Sequence, residues 1–120
     1  MKNRILIKHP KNWGLSEKEV IKYSLEWLDF FGFKTKTELS LYFVGVKKAK
    51  ELNLKYRQKN YIPQVLGFPL NREADNDGWL RLGDIVICTP KLKYESKFLH
   101  KKQSEILSDW IKHGIENLLK

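Results

Sequence analysis

The sequence predicts an α+β fold: a small mixed β-sheet of about four strands packed with helices in a single domain over residues 1–120. Three observations carry that prediction. Short aliphatic runs of strand length alternate with amphipathic stretches of helix length. The third and fourth strand runs have no helix-length insert between them, so they cannot both belong to a regular parallel βαβ series. A chain of 120 residues suits one core, and 42% apolar residues with four Trp, five Tyr and six Phe supply enough mass to fill it.

The first strand is Arg4 to Lys8, stopped by Pro10. Ser16 then opens a helix, with Glu19 three residues on to complete a capping box. Val20, Tyr23, Leu25, Trp27, Leu28 and Phe31 give that helix its apolar mass, and Gly32 ends it. Thr37 to Gly45 places Leu39, Leu41 and Phe43 on one face of a second strand. A lysine-rich helix runs from about Val46 to Tyr56, with Val46, Ala49, Leu52 and Tyr56 as inner positions. Gln64 to Phe68 is a third strand, and the polar Arg72 to Gly78 stretch is an exposed turn. In the fourth strand, Leu82 to Cys88, the Ile85-Val86-Ile87 run predicts burial on both faces. The last helix spans about Gln103 to Leu119, with Ile106, Leu107, Trp110, Ile111, Gly114 and Leu118 at helical spacing.

Charge narrows the partner. Lys plus Arg total 23 against 14 Asp plus Glu, a formal +9, which favours a polyanion. Lys47, Lys48, Lys50, Lys55, Arg57 and Lys59 stand against Glu51 alone, and Lys91, Lys93, Lys97, Lys101 and Lys102 against Glu95. Two such blocks, with Tyr56, Tyr61 and Tyr94 interleaved, suit an RNA backbone and unpaired bases. A solvated helix face is the commoner reason for a charge run. The single Cys88 forms no internal disulfide and no multi-thiolate zinc site; inside an apolar strand it is expected to be a small core residue. No apolar run approaches the roughly 18–20 residues of a membrane span. At the start only Ile5-Leu6-Ile7 separate charged residues, short of the apolar stretch of about 7–15 in a secretion signal. The expectation is a cytoplasmic protein that does not enter a membrane.

Three segments share a pattern. Leu52-Asn53-Leu54-Lys55-Tyr56-Arg57-Gln58-Lys59 leads into Val65-Leu66-Gly67-Phe68-Pro69; Leu82-Gly83-Asp84-Ile85 follows; His113-Gly114 lies on the last helix. Together they resemble the YbeY family of bacterial rRNA-maturation endoribonucleases, whose pattern is LNxxYRxKDxPTDVLSFP, then LGDIxI, then HGxLHLxGxDH. Order and spacing agree from Leu52 to Leu119. The resemblance implies a hydrolase with zinc held by three histidines, an important arginine at the cleft, and work on single-stranded rRNA in the ribosomal small subunit. The arginine falls on Arg57 and the first metal histidine on His113. The second histidine position is Asn117, and the third falls past Lys120. Asn60, Ile62, Pro63, Gln64 and Gly67 replace Asp, Pro, Thr, Asp and Ser of the pattern.

The chemistry of those substitutions stands without the family. A catalytic zinc takes about three protein ligands and keeps one position open. His113 and Asn117, four apart, face the same way on a helix, but a neutral carboxamide is a poor zinc donor. Glu116 is the better neighbour, and a metal site rebuilt around His113 and Glu116 would restore a metal-dependent endoribonuclease. His9 and His100 reach such a site only if the fold brings them there. The favoured reading of His113 is a half-buried structural histidine at the edge of the apolar stripe. The sequence therefore predicts an rRNA-binding or small-subunit-binding factor with an incomplete zinc centre. Phosphate contacts come from Arg57 with Lys47, Lys48, Lys55, Lys59, Lys93, Lys101 and Lys102. The alternatives are the active metal enzyme, or a scaffold that touches a ribosomal protein rather than RNA. Asp84 is expected to anchor backbone donors at its strand start, or else to sit near the cleft.

Overall fold

The computed structural model describes residues 2–120. Eight elements follow in order: β1 Arg4–Lys8, α1 Glu17–Phe30, β2 Thr37–Val44, α2 Val46–Arg57, β3 Val65–Pro69, β4 Leu80–Cys88, α3 Thr89–Leu99 and α4 Gln103–Leu118. The strands form one mixed sheet in the order β1-β2-β4-β3. β1 and β4 run parallel to β2, and β3 pairs antiparallel with β4, Leu66 opposite Val86 and Phe68 opposite Asp84. β3 therefore has one free edge. The predicted α+β class and mixed four-stranded sheet are what the chain adopts.

Strand alternation decides which face is packed. Leu39, Leu41 and Phe43 of β2 lie beside Gly83, Ile85 and Ile87 of β4. On this face they join Val20 and Leu28 of α1 and Ile106, Leu107, Trp110, Ile111, Ile115 and Leu118 of α4 in one buried cluster. The opposite face carries Tyr42, Val44, Asp84 and Val86, partly covered by α2. The Ile85-Val86-Ile87 run is buried on both faces, as its composition predicts. Cys88 is buried too, and burial raises its thiol pKa above the ordinary value.

Local signals act as expected with three exceptions. Ser16 caps α1 by accepting from the Glu19 amide at 3.3 Å. The Glu19 carboxylate, however, accepts from the Tyr23 hydroxyl at 3.1 Å, so the cap works through its serine. In α2 the buried positions are Ala49 and Asn53, whereas Val46 and Tyr56, both expected inside, are exposed, Tyr56 at 54%. The third exception is α3, a helix the sequence does not predict: Pro90 sits in its first turn, and only Thr89 and Leu92 are buried. Two apolar-side residues in eleven leave little periodic signal to read.

α4 reaches the sheet through glycine. A Cβ on Gly114 would stand 2.7 Å from Ile85 Cγ2, and one on Gly67 would stand 2.9 Å from Asn117 Cβ. The absence of side chains at both positions lets α4 lie close over β3 and β4, which fixes where its polar edge projects.

Candidate functional site

That polar edge borders a cleft along the end of the sheet. A cavity of about 320 Å³ is lined by Arg57, Tyr61, Gln64, Lys91, Trp110, His113 and Asn117, among others. A smaller one of about 220 Å³ adjoins it along β3, sharing Arg57, Val65 and Asn117 and adding Lys120. Arg57 projects from the last turn of α2. That helix ends with Gln58 in the left-handed conformation (φ 55°), its amide donating to Leu54 O and the Lys59 amide to Asn53 O. The buried Asn53 donates through Nδ2 to Tyr61 O at 3.0 Å. This bond pins the connection between α2 and β3 beneath the cleft. Pro63 follows in that connection, and Gln64 Nε2 reaches Glu95 of α3 at 3.2 Å.

The fold thus brings together Arg57, His113 and Asn117, which are up to sixty positions apart in sequence. It does not bring the other residues predicted as phosphate contacts into the cleft lining. Lys48 lines a separate cavity of about 420 Å³ on the opposite sheet face, with Tyr42, Leu52, Tyr56, Phe68 and Asp84. Asp84 belongs to that face and not to the Arg57 cleft; burial raises its pKa first, and the charge of Glu38 second. Lys47, Lys55 and Lys59 are exposed on α2 and just after it. Lys93 points elsewhere, its Nζ 2.7 Å from where a Cβ on Gly14 would stand. Lys101 and Lys102 lie in the exposed link between α3 and α4.

Lys91, a member of the second lysine block, and Lys120, which the sequence does not mark as a phosphate contact, do line the cleft. Lys91 is there because α3 begins directly after β4, a helix that the sequence conceals.

His113 differs from the expected half-buried histidine. Its side chain is 65% exposed, and Nδ1 lies 3.2 Å from Glu116 Oε1. The residues present do not fit a zinc ion. The cleft lining holds one imidazole, His113, and two carboxamides, Asn117 and Gln64, and the described residues hold no group of three His, Cys, Asp or Glu able to bind a metal. His9 is stacked on Trp13 at 3.8 Å and bonded to Glu17, and His100 closes α3; neither lines the cleft. The lining of the two adjoining cavities includes three basic residues, Arg57, Lys91 and Lys120, with Tyr61 beside them.

Fold comparison agrees with this architecture. A Thermotoga maritima protein solved in solution superposes with a TM-score of 0.62 at 22% identity, covering 98% of this chain and 72% of its own. The model of the family described as Endoribonuclease YbeY matches residues 8–119. Relatives named Endoribonuclease YbeY include one from Aquifex aeolicus, 33% identical over 98% of this chain and 76% of its own length. Another, from Thermodesulfovibrio yellowstonii, is 41% identical over 68% of this chain but 50% of its own length. The chain belongs to the YbeY family. Its matched stretch spans from about half to three quarters of these two relatives.

Proposed function

We propose that this chain is a cytoplasmic ribosome-maturation factor that binds single-stranded rRNA, or a small-subunit particle presenting it, in the Arg57 cleft. The observation that carries the reading is the convergence of Arg57, Lys91 and Lys120 on one open cavity system in a YbeY-family fold. Arg57 grips phosphate oxygens in pairs through its guanidinium, and the two lysines add point charges along the strand's path. Tyr61 offers a face to an unpaired base. Among the described residues no helix is long and apolar enough to cross a membrane.

Binding, rather than metal-dependent cleavage, is the activity these side chains support. His113 is paired with Glu116 and faces a carboxamide where the family pattern has a second imidazole. The test is anisotropy of a labelled single-stranded RNA, paired with a cleavage assay in zinc and in chelator. The reading requires binding without zinc, its weakening by Arg57→Ala, and no cleavage in either buffer. Zinc-dependent cleavage abolished by His113→Ala would replace it with the metal enzyme. Binding of a ribosomal protein with no affinity for RNA would replace it with a scaffold.

A further inference from the structure

We propose that α3 carries the RNA strand out of the cleft, with Tyr94 and Phe98 as a platform on which successive unpaired bases stack. The proposal rests on the RNA-binding reading and adds a subsite to it. Tyr94 and Phe98 are 63% and 67% exposed, and their rings lie nearly parallel, 12° apart in plane with centroids 6.1 Å apart. Two aromatic faces open to water in one stack form a π-surface that no other element covers among the described residues.

Position connects this platform to the cleft. Lys91, Tyr94 and Phe98 are three and four residues apart, so they share one face of α3. Lys91 lines the cleft, and Glu95, on the same side, accepts from the cleft residue Gln64. Seven residues of helix place Phe98 about 10 Å beyond Lys91. Lys101 and Lys102 follow at the exposed end, where the Lys101 amide donates to Ser96 O at 3.1 Å. From Lys91 to Lys102 the only acidic residue is Glu95. An apolar docking face for a protein needs no such excess of lysine, whereas a phosphate backbone does. Bases stack on aromatic rings whatever their sequence, so the platform suits a strand held by its backbone.

The experiment compares the chain with its Tyr94→Ala/Phe98→Ala variant in binding labelled single-stranded RNAs of about three and about ten nucleotides. Both side chains are exposed, so the variant keeps its fold, checked by an unchanged melting temperature. The expected result is a loss of at least about fivefold for the longer RNA and none for the shorter. Tyr94→Phe should bind like the parent, since stacking needs the ring and not the hydroxyl. Equal affinity of parent and variant for the longer RNA overturns the platform, and so does an equal loss on both lengths. If Arg57→Ala still weakens binding in those cases, only the platform falls. No binding of either RNA by the parent chain overturns the platform and the RNA reading together.

Discussion

Gly83→Ala combines a backbone strain and a steric collision at one position. Gly83 has φ 151°, a region that L side chains rarely adopt, and a Cβ there would stand 2.5 Å from Phe68 O, 2.8 Å from Leu118 Cδ2 and 3.0 Å from Pro69 Cα. The conformation alone costs about 1–3 kcal/mol. The contact adds about 1–3 kcal/mol, because two of the three atoms are backbone of β3 and do not rotate away. A total of about 4 kcal/mol is a large part of the roughly 5–15 kcal/mol that holds a domain together. With a urea dependence of about 1.5 kcal/mol per M, the midpoint should fall by about 2–3 M. The assay is urea unfolding followed by tryptophan fluorescence, Trp13 and Trp110 being buried reporters. Gly32→Ala is the control: Gly32 has φ 94° but nothing within 4 Å of the added carbon. It should lose only the conformational part. If Gly83→Ala costs no more than Gly32→Ala, the collision with β3 does not exist and the close packing of β3, β4 and α4 is wrong.

Further outcomes follow from other side chains. Asn53→Ala, by removing the bond to Tyr61 O, should cost about 1 kcal/mol and speed amide exchange in residues 58–64; unchanged protection would show that Asn53 does not hold the cleft wall. Asp77 bonds Arg81 and the Trp79 amide, and its carboxyl is held at about 2. Its folded pKa lies below the ordinary 3.8, so its contribution to stability is complete above that value and disappears as the pH falls towards 2. Carbon-detected NMR titration should find Asp77 near 2, and Arg81→Gln should return it towards 3.8; a normal value in the parent would refute the pairing. Zinc should bind the chelator-treated chain weakly at the cleft, and Asn117→His should tighten it by placing two imidazoles four residues apart on α4; calorimetry showing a tight site before the change would contradict the donor set described above.

The elements that pack were legible because packing leaves a period. β2 alternates and α4 repeats every three to four residues, and both were bounded to within a residue or two. α3 was not, since it buries so little of itself, and its exposed Tyr94 and Phe98 carry no inward stripe. For the same reason the sequence groups Lys91 with Lys93, Lys97, Lys101 and Lys102 without showing that it is the one that reaches the cleft. An aromatic at helical spacing suggests a core position for Tyr56, whereas it packs edge-on against Phe68 at the rim of the cavity on the opposite sheet face. The burial of Asn53 escapes the sequence for the opposite reason: a polar residue four after Ala49 is buried, and the bond to Tyr61 O explains it. The resemblance to the family pattern, by contrast, implies that Arg57, His113 and Asn117 share one cleft, while saying nothing of the directions of the lysines, which depend on each helix's rotation.

The central claim is that the Arg57 cleft holds an RNA backbone through its own cations. Affinity of chelator-treated protein for a single-stranded RNA across a salt series tests it most directly. The account predicts a linear fall on logarithmic axes, with a slope of about −0.7 for each phosphate neutralised. Arg57→Ala should flatten that slope by about 0.7. A slope near zero, or affinity that returns only when zinc is added, would contradict it.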